Sequence, residues 1–412
     1  MRVAVSLIGI LGCFFAIWLT AQAGLARLLG RYAAFTADLA AADKAIALTP
    51  SDPEAHTTRA GVLYHLNRVS DAAREFEIAV SLRPLDDYQW LKLAMVRDEL
   101  KDPAGALTAF DESVRLGPYY SLQRFQRGNF LLRRRRFDEA FADLRAAAES
   151  NPNFIPNLID LAWGFSRGDA KATEQLAQIT TKEKRIAFAR LLATRGKATQ
   201  AIEQLSLAGP VSDQTRSDLA HLLISANMFQ EAYEIWENSP TAGARQASPV
   251  IYDGGFEGPL SLEEMNFGWR LARSPQGASL AIDSSQTHSG SKSLSIEFSG
   301  NTNPDLALVS QLIPIEPSQR YRINFSARTQ DIVSGGLPFA VVSDAAGDRK
   351  RLAESPTVRE NQNGWQTLSF EFRAEPTTKA VVLSVQRKNC TTSPCPIFGW
   401  IWLDSFSIET LK

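Results

Sequence analysis

The sequence predicts a multidomain α + β protein with three parts: an N-terminal transmembrane helix or signal, an α-solenoid of helix hairpins, and a C-terminal β-sandwich. Three observations predict this: a long uncharged apolar start, proline recurring every 34 residues, and a later change to alternating apolar and polar residues. With 412 residues, the chain is long enough for at least two compact units. We expect residues 1–26 to form the anchor or signal, 27–240 the solenoid, 241–249 a linker and 250–412 the sandwich.

The composition disfavours two classes of function. Lys and Arg total 44 against 45 Asp and Glu, which gives a formal net charge of −1. Because phosphate binding needs a concentrated basic surface, we expect no nucleic-acid partner. The four histidines are too widely spaced along the sequence to suggest zinc ligands, so a transition-metal enzyme is also not expected.

The first segment determines the compartment. No residue between Arg2 and Arg27 is charged, and a stretch of about 24 apolar and small residues is long enough to cross a bilayer. A cleaved signal peptide is the alternative, because Ala21-Gln22-Ala23 has the small-x-small pattern that signal peptidase accepts. Both alternatives export the rest of the chain, whereas a third, a buried helix of a soluble protein, does not. The flanking charges do not fix the orientation.

A pair of cysteines bears on the same question. Cys390 and Cys395 lie in a tight Cys-Thr-Thr-Ser-Pro-Cys loop. A disulfide between them is favoured only in an oxidising space, and we expect it here. The alternatives are two free thiols, or a loop too strained to close.

A repeat occupies the middle of the chain. Prolines recur exactly 34 residues apart, at Pro50, Pro84, Pro118 and Pro152. Small or apolar residues precede them at fixed offsets that keep one helical face, namely Ala72, Phe76 and Ala79, then Ala106, Phe110 and Ser113, then Ala140, Leu144 and Ala147. Each unit is therefore predicted to be a helix hairpin.

These residues resemble the tetratricopeptide repeat, with three whole repeats between about Asp52 and Pro152 and the second helix of an earlier one. Farther along the match decays, and we expect roughly six hairpins in all, the later ones irregular. The resemblance implies a groove that binds a peptide or a protein partner. Arg133 to Arg136 fall at a turn, which is either a solvated basic turn or a docking site for an acidic partner.

The register of the repeat extends into the apolar segment. If Pro50 closes a repeat, the first helix of that repeat lies at about Thr20 to Tyr32. The membrane helix is then expected to run directly into the first hairpin. Cleavage after Ala23 would remove the first turn of that hairpin, and this favours an uncleaved anchor.

After residue 249 the period of the pattern becomes two. Tyr321, Ile323 and Phe325 alternate with polar residues, as expected for a strand with one buried face. Short strands of this type, separated by turns rich in Gly, Pro, Asn and Asp, predict a β-sandwich.

Four short motifs, at 253–257, 288–294, 363–366 and 402–408, occur in the order typical of jelly-roll carbohydrate-binding modules of the galactose-binding-like superfamily. The resemblance covers 250–411. It implies a structural Ca²⁺ held by the carboxylates of Glu257 and Asp404. The alternative is that these two carboxylates only cap turns.

Sugar binding needs aromatic faces together with amide, guanidinium and hydroxyl groups. The expected sugar-binding residues are Trp269 and Trp365 for stacking, with Arg322, Asn324 and Gln386 in the polar set. Trp400 and Trp402 share strand parity with Phe406 and Ile408, so we expect those two tryptophans in the core.

These features predict a non-catalytic envelope scaffold, a single-pass protein of the bacterial inner membrane whose domains lie in the periplasm. A cleaved signal would leave it free in the periplasm. By analogy, it serves exopolysaccharide or O-antigen assembly. The alternatives are a glycoside-active enzyme, which needs two carboxylates flanking one bond, and a purely protein-binding assembly scaffold.

Overall fold

The structure is a computed structural model that describes residues 2–237, 250–258, 267–361, 364–391 and 394–412, with side chains from Leu11 onward. Its residues group into two compact units, Met1–Lys184 and Arg185–Lys412. The linker expected at 241–249 lies outside the described residues, as does Asn363 of one predicted motif. The division after Lys184 places most of the last four helices in the unit that also contains the strands.

The N-terminal helix α1 (Arg2–Thr36) is continuous. Its apolar side chains between Leu11 and Leu19 are exposed, and the described part is long and apolar enough to cross a membrane. Nearer its end, Ala33 is buried in a small cluster with Ala42 and Val62 of the next two helices. The helix predicted at about Thr20 to Tyr32 therefore lies inside α1, and α1 packs against α2 (Leu39–Leu48) and α3 (Pro53–His65).

The rest of the first unit consists of successive helix pairs. They are α3 with α4 (Val69–Leu82), α5 (Asp87–Glu99) with α6 (Pro103–Leu116), α7 (Ser121–Arg133) with α8 (Phe137–Ser150), and α9 (Ile155–Phe165) with α10 (Ala170–Ala177). A 3₁₀ turn at Pro152–Phe154 precedes α9. Asp52, Asp86 and Asp102 cap α3, α5 and α6 by accepting backbone N–H groups, which begins these helices at defined residues.

The repeat determines how closely the paired helices approach. Ala60, Ala94 and Gly128 occupy the same position in successive repeats, and all three are buried. A Cβ atom added at Gly128 would lie 2.9 Å from Cγ of Leu144 and 3.1 Å from the carbonyl oxygen of Ala140. The small residue is therefore needed because α8 passes directly over it.

The second unit begins with helices α11 (Lys182–Thr194, which crosses the boundary), α12 (Ala198–Leu207), α13 (Asp213–Ser225) and α14 (Phe229–Glu237). The last helix packs against the strand region through aromatic rings. The ring centroids of Tyr233 and Phe267 are 5.1 Å apart, and those of Trp236 and Tyr252 are 4.9 Å apart. The final helix thus packs on the segments that precede β1.

Ten strands form the described part of the C-terminal region. They are β1 (Arg270–Leu271), β2 (Ala278–Asp283), β3 (Ser293–Gly300), β4 (Val309–Pro314), β5 (Arg320–Ser334), β6 (Pro338–Asp344), β7 (Arg351–Glu354), β8 (Gln366–Arg373), β9 (Ala380–Arg387) and β10 (Ile397–Leu411). The first sheet has the order β1-β4-β9-β6-β7 and the second sheet β2-β3-β10-β5-β8, and all pairs are antiparallel. Apolar side chains of both sheets, such as Leu294, Phe325 and Leu383, form one core between them. The predicted β-sandwich is confirmed.

An irregularity in β10 changes which side chains face outward. The pairing of β10 with β5 shifts register between Asp404 and Ser407, and Ser405 has a φ of 57°. Before this bulge, Trp402 lies opposite Ser295 of β3 and therefore outside the core, whereas Phe406, after it, lies inside. The expectation that Trp400 and Trp402 lie in the core with Phe406 is wrong, because the bulge reverses the alternation between them.

Candidate functional site

In the first unit, the first helices of the repeats carry exposed aromatic and apolar side chains. Tyr64 on α3 and Tyr88 and Met95 on α5 are each about half exposed. Nζ of Lys92 lies 4.6 Å from the centroid of the Tyr88 ring. A hydrogen bond with Glu99 raises the pKa of the Tyr64 phenol. These side chains give the repeats a mixed aromatic and charged surface of the kind that binds a peptide.

Three of the four arginines at the α7–α8 turn form ion pairs within the protein. Arg133 and Arg134 both form ion pairs with Asp98, at 2.6 and 2.8 Å. Arg136 pairs with Glu139 at 2.6 Å, and the hydrogen bond from Arg136 lowers the pKa of that carboxyl. This arrangement fits the solvated turn better than a docking site for an acidic partner.

Of the five predicted sugar-binding residues, Trp269 is buried. Its side chain is 3% exposed, and its ring stacks on Phe256 with centroids 5.0 Å apart. Its indole N–H donates to the carbonyl oxygen of Asp253 at 2.8 Å. The prediction that Trp269 stacks on a sugar does not agree with this placement, because the ring is buried in the core with Phe256 and Phe406.

Arg322 and Asn324 do lie on the outer face of β5, in the second sheet. The Arg322 guanidinium forms ion pairs with Glu371 at 2.7 Å and with Glu409 at 3.1 Å. Its hydrogen bond lowers the pKa of Glu371. Asn324 lies opposite Ser369 of β8 and Ser407 of β10. Arg322 is therefore already paired within the protein.

Gln386 belongs to the other sheet. It lies opposite Phe339 of β6, on the outer face of the first sheet. The Phe339 ring is only 2% exposed, since Nζ of Lys388 lies 4.2 Å from its centroid and the Arg351 guanidinium 5.8 Å from it. Lys388 and Arg351 both form ion pairs with Glu354. The predicted residues are thus divided between two faces that point in opposite directions.

Trp365 is half-buried and belongs to a group of side chains that the sequence analysis did not predict to lie together. Trp365, Trp400, Trp402, Arg328 and His288 make up this group, which we call the tryptophan–arginine patch, on the outer side of the second sheet. The His288 and Trp365 ring centroids are 5.5 Å apart, and the Arg328 guanidinium lies 5.7 Å from the Trp402 ring. The sequence analysis did not name Arg328, and the bulge in β10 hid the outward position of Trp402.

Hydrogen bonds to neighbouring side chains hold Trp402 and Arg328 in place. The indole N–H of Trp402 donates to Oδ2 of Asp283 at 2.7 Å, and Arg328 donates to the side-chain oxygen of Gln286. Burial acts to raise the pKa of Asp283, but hydrogen bonds from Ser285 and Trp402 outweigh burial and lower it. Asp283 is therefore a charged acceptor that fixes the Trp402 ring.

Glu257 and Asp404, the predicted calcium ligands, both accept hydrogen bonds from the turn at 288–292. Oδ2 of Asp404 accepts the backbone N–H groups of His288 at 2.8 Å and Ser289 at 3.0 Å. Oε1 of Glu257 accepts the N–H groups of Ser291 at 2.7 Å and Lys292 at 3.1 Å. Hydrogen bonds from Ser291 lower the pKa of Glu257.

The donor geometry at this turn fits capping rather than calcium. N–H groups present positive hydrogen atoms to the same carboxylate oxygens that a cation needs. Within the described part of the chain, no three His, Cys, Asp or Glu side chains are grouped to hold a metal. We therefore assign the two carboxylates to the turn. A structural calcium stays a prediction.

Cys390 and Cys395 form a disulfide, with Cα atoms 5.5 Å apart. The buried Arg387 guanidinium lies against it, with Nη2 2.9 Å from Sγ of Cys395. Arg387 also donates to the carbonyl oxygens of Thr302 at 3.1 Å and Gly336 at 3.3 Å. Burial lowers the pKa of Arg387. The disulfide and this arginine together join the ends of β5, β9 and β10.

Models of two families match the two parts of the chain. The tetratricopeptide repeat model matches residues 35–87, 58–121 and 91–153. The carbohydrate binding domain model matches residues 248–394. Protein FlbA of Caulobacter vibrioides is 34% identical over 101 residues, which are 24% of this chain. The chain spans only 17% of the length of that curated relative.

Solved structures are similar to each part separately. YrrB, a TPR protein with an unusual peptide-binding site, is 22% identical and has a TM-score of 0.29, with 50% of this chain and 90% of YrrB covered. A CBM4 structure is 15% identical with a TM-score of 0.30, covering 39% of this chain and 99% of the module. The CBM22-1 xylan-binding domain of Paenibacillus barcinonensis Xyn10C is 13% identical with a TM-score of 0.28, covering 41% and 99%. From the two family models, the chain contains tetratricopeptide repeats in its N-terminal part and a carbohydrate binding domain in its C-terminal part.

Proposed function

We propose that this protein is a non-catalytic scaffold of the bacterial envelope, anchored in the inner membrane by α1, with its repeats and its sandwich in the periplasm. The repeats bind a segment of a protein partner, and the sandwich binds a glycan. The observation that carries the proposal is the continuity of α1 (Arg2–Thr36) from its exposed apolar half into the buried Ala33 of the first hairpin.

This continuity favours a retained anchor over a cleaved signal. Cleavage after Ala23 would leave only the residues from Gly24 onward to pack as the first helix of the first hairpin. At 1.5 Å per residue, the part of α1 before Gly24 spans roughly 30 Å, which is the thickness of the hydrocarbon core of a bilayer. The hairpins then begin directly at the membrane surface, without a flexible connection.

The disulfide between Cys390 and Cys395 supports the periplasmic location, because such bonds persist in oxidising compartments. A scaffold that holds a protein partner and a glycan close to the membrane suits the assembly of exopolysaccharide or O-antigen. We therefore propose an accessory role in such an assembly.

The absence of catalysis is part of the proposal. A glycoside-cleaving site needs two carboxylates that face one bond and are free to exchange protons. Glu257 and Asp404 are instead bound to the backbone of one turn, and Glu371 is paired with Arg322. These contacts support binding over hydrolysis. Incubation of the purified protein with polysaccharide should release no reducing sugar, and steady release would contradict the proposal.

The anchoring is tested with the full chain carrying an export-dependent reporter after Lys412. We expect reporter activity, retention in the membrane fraction after alkaline carbonate washing, and a mass that includes the residues before Gly24. A protein found in the soluble periplasmic fraction and starting at Gly24 would replace the anchor with a cleaved signal. An inactive reporter would overturn the periplasmic location.

A further inference from the structure

The tryptophan–arginine patch is arranged in rows across the second sheet. Arg328 of β5 lies opposite Trp402 of β10, which in turn lies opposite Ser295 of β3. On its other side, Gln366 of β8 pairs with Ala327, so Trp365, the residue before it, falls beside Arg328. Trp365 and Trp402 therefore flank one guanidinium on the same outer face, with roughly 5 Å between neighbouring strands.

The two indole rings have different surroundings. Trp402 is 6% exposed and fixed by Asp283, so it forms the floor of the patch. Trp365 is half-buried, with His288 against it, so part of its ring faces solvent. A half-exposed indole beside rigidly held side chains is suited to stacking on the apolar face of a pyranose ring.

Arg328 carries an unmet donor. Its Nη1 donates to Gln286, whereas its Nε is buried and has no hydrogen-bond partner in the described part of the chain. No carboxylate of the described residues forms an ion pair with Arg328. The nearby Asp283 is engaged by Trp402 and Ser285. Because no carboxylate of the described residues compensates its charge, the guanidinium of Arg328 is best paired with an anionic ligand.

Within the described residues, the outer face of the first sheet lacks this combination. Its aromatic residue, Phe339, is covered by Lys388 and Arg351, and Glu354 neutralises both of these cations. Arg322, farther along β5, is likewise paired with two glutamates. Among the described residues of the two outer faces, Arg328 thus combines an unmet donor with a neighbouring half-exposed indole.

We propose that the tryptophan–arginine patch is the glycan site, and that it takes a polysaccharide containing uronic acid. The Trp365 indole stacks on the pyranose, and the guanidinium of Arg328 pairs with the sugar carboxylate. Glu297, which lies opposite Trp400 at the far end of the patch, directs the carboxylate toward the Arg328 end. This inference rests on the proposed glycan-binding function and goes beyond it by naming the face and the class of sugar.

The test uses the detergent-solubilised full chain and two matched probes, a galacturonate hexamer and the same hexamer with its carboxyl groups reduced to alcohols. Titration calorimetry should show at least tenfold tighter binding of the acidic hexamer. Trp365→Ala should weaken binding of the acidic hexamer at least tenfold. Arg328→Gln should weaken it to the same extent but change binding of the reduced hexamer less than threefold. Arg373→Gln, on the outer face of β8, is the charge control and should bind as the parent protein does.

The outcomes separate the site from the function. Equal binding of the two hexamers, or no binding of the acidic one, would overturn the uronic-acid assignment. Normal binding by both Trp365→Ala and Arg328→Gln would overturn the patch while leaving glycan binding intact. Absence of binding to every polysaccharide on a glycan array would overturn the proposed function itself. Hydroxyl-radical footprinting of the parent protein needs no variant, and the acidic hexamer should protect Trp365 from oxidation.

Discussion

The first unit and the sandwich of the second differ in how far apart along the chain their contacting residues lie. In the first unit, each helix packs on its neighbours in sequence, as α3 does on α4 and α4 on α5. In the sandwich, Leu403 of β10 pairs with Leu294 of β3, about 110 residues earlier. The helix pairs can therefore be derived from a local repeat, whereas the sandwich depends on register set by distant pairs.

The difference also concerns the site. In the repeats, the period that places Ala60, Ala94 and Gly128 also places the side chains that pack around them. A single bulge at Ser405 is enough to move Trp402 from the expected core to the outer face. Side-chain orientation in the sandwich is therefore the less predictable property, and it decides where a ligand binds.

The largest expected effect is at the junction between α14 and the strands. Trp236→Ala removes a ring that packs on Tyr252 and Phe267 and should destabilise the second unit by about 3–5 kcal/mol. The loss should appear in the unfolding of the strands as well as of α14, measured by hydrogen exchange of the intact protein. Strands that keep their full protection would show that the last hairpin and the sandwich fold independently.

A matched pair of glycines probes the first unit. Gly128→Ala should destabilise it by about 1–3 kcal/mol, because the new methyl group meets Leu144 and the backbone of Ala140. Gly61→Ala makes the same change in α3, where nothing lies within 4 Å, and should stabilise the helix by about 0.5–1 kcal/mol. Thermal melts of the two variants should shift in opposite directions. A shift of the same sign in both would contradict the packing described here.

Tyr233, at the same junction, predicts a pH dependence. Burial raises its pKa to about 12, from an ordinary value of 10.0. The unfolded state loses this proton first, so stability is complete below pH 10 and is lost as the pH rises toward 12, by roughly 1.4 kcal/mol per pH unit. Urea denaturation of the parent and of Tyr233→Phe should show the steeper decline in the parent. Parallel curves would place Tyr233 in contact with water.

The smallest expected effect is at the surface of the second sheet. Arg322→Gln breaks ion pairs with Glu371 and Glu409, whose side chains are largely exposed. Surface pairs contribute little to stability because water and salt screen them. The melting temperature should not change measurably, at low or at high salt. A clear drop in melting temperature would show that these ion pairs contribute more to stability than their exposure suggests.

The sequence sufficed for the order of the parts and for the hairpins, because helix contacts recur with the 34-residue period. The same register, counted back from Pro50, placed the first helix of the first hairpin within α1. The face proposed to bind a glycan did not follow from the sequence. Trp269 lies in the core because Phe256 of the opening segment and Phe406 of β10 pack on its ring. Gln386 and Arg322 lie on opposite sheets because strand order is set by pairs distant in sequence. Arg328 continues the outward alternation of β5, but its position beside Trp402 depends on the pairing of β5 with β10.

The central claim is that α1 holds both units on the outer side of the inner membrane. The most direct measurement is proteolysis of spheroplasts, in which the inner membrane is intact and only its outer surface is accessible. We expect added protease to digest the repeats and the sandwich and to leave a short membrane-embedded peptide that contains Cys13. Protection of the whole chain until the membrane is lysed would contradict the account.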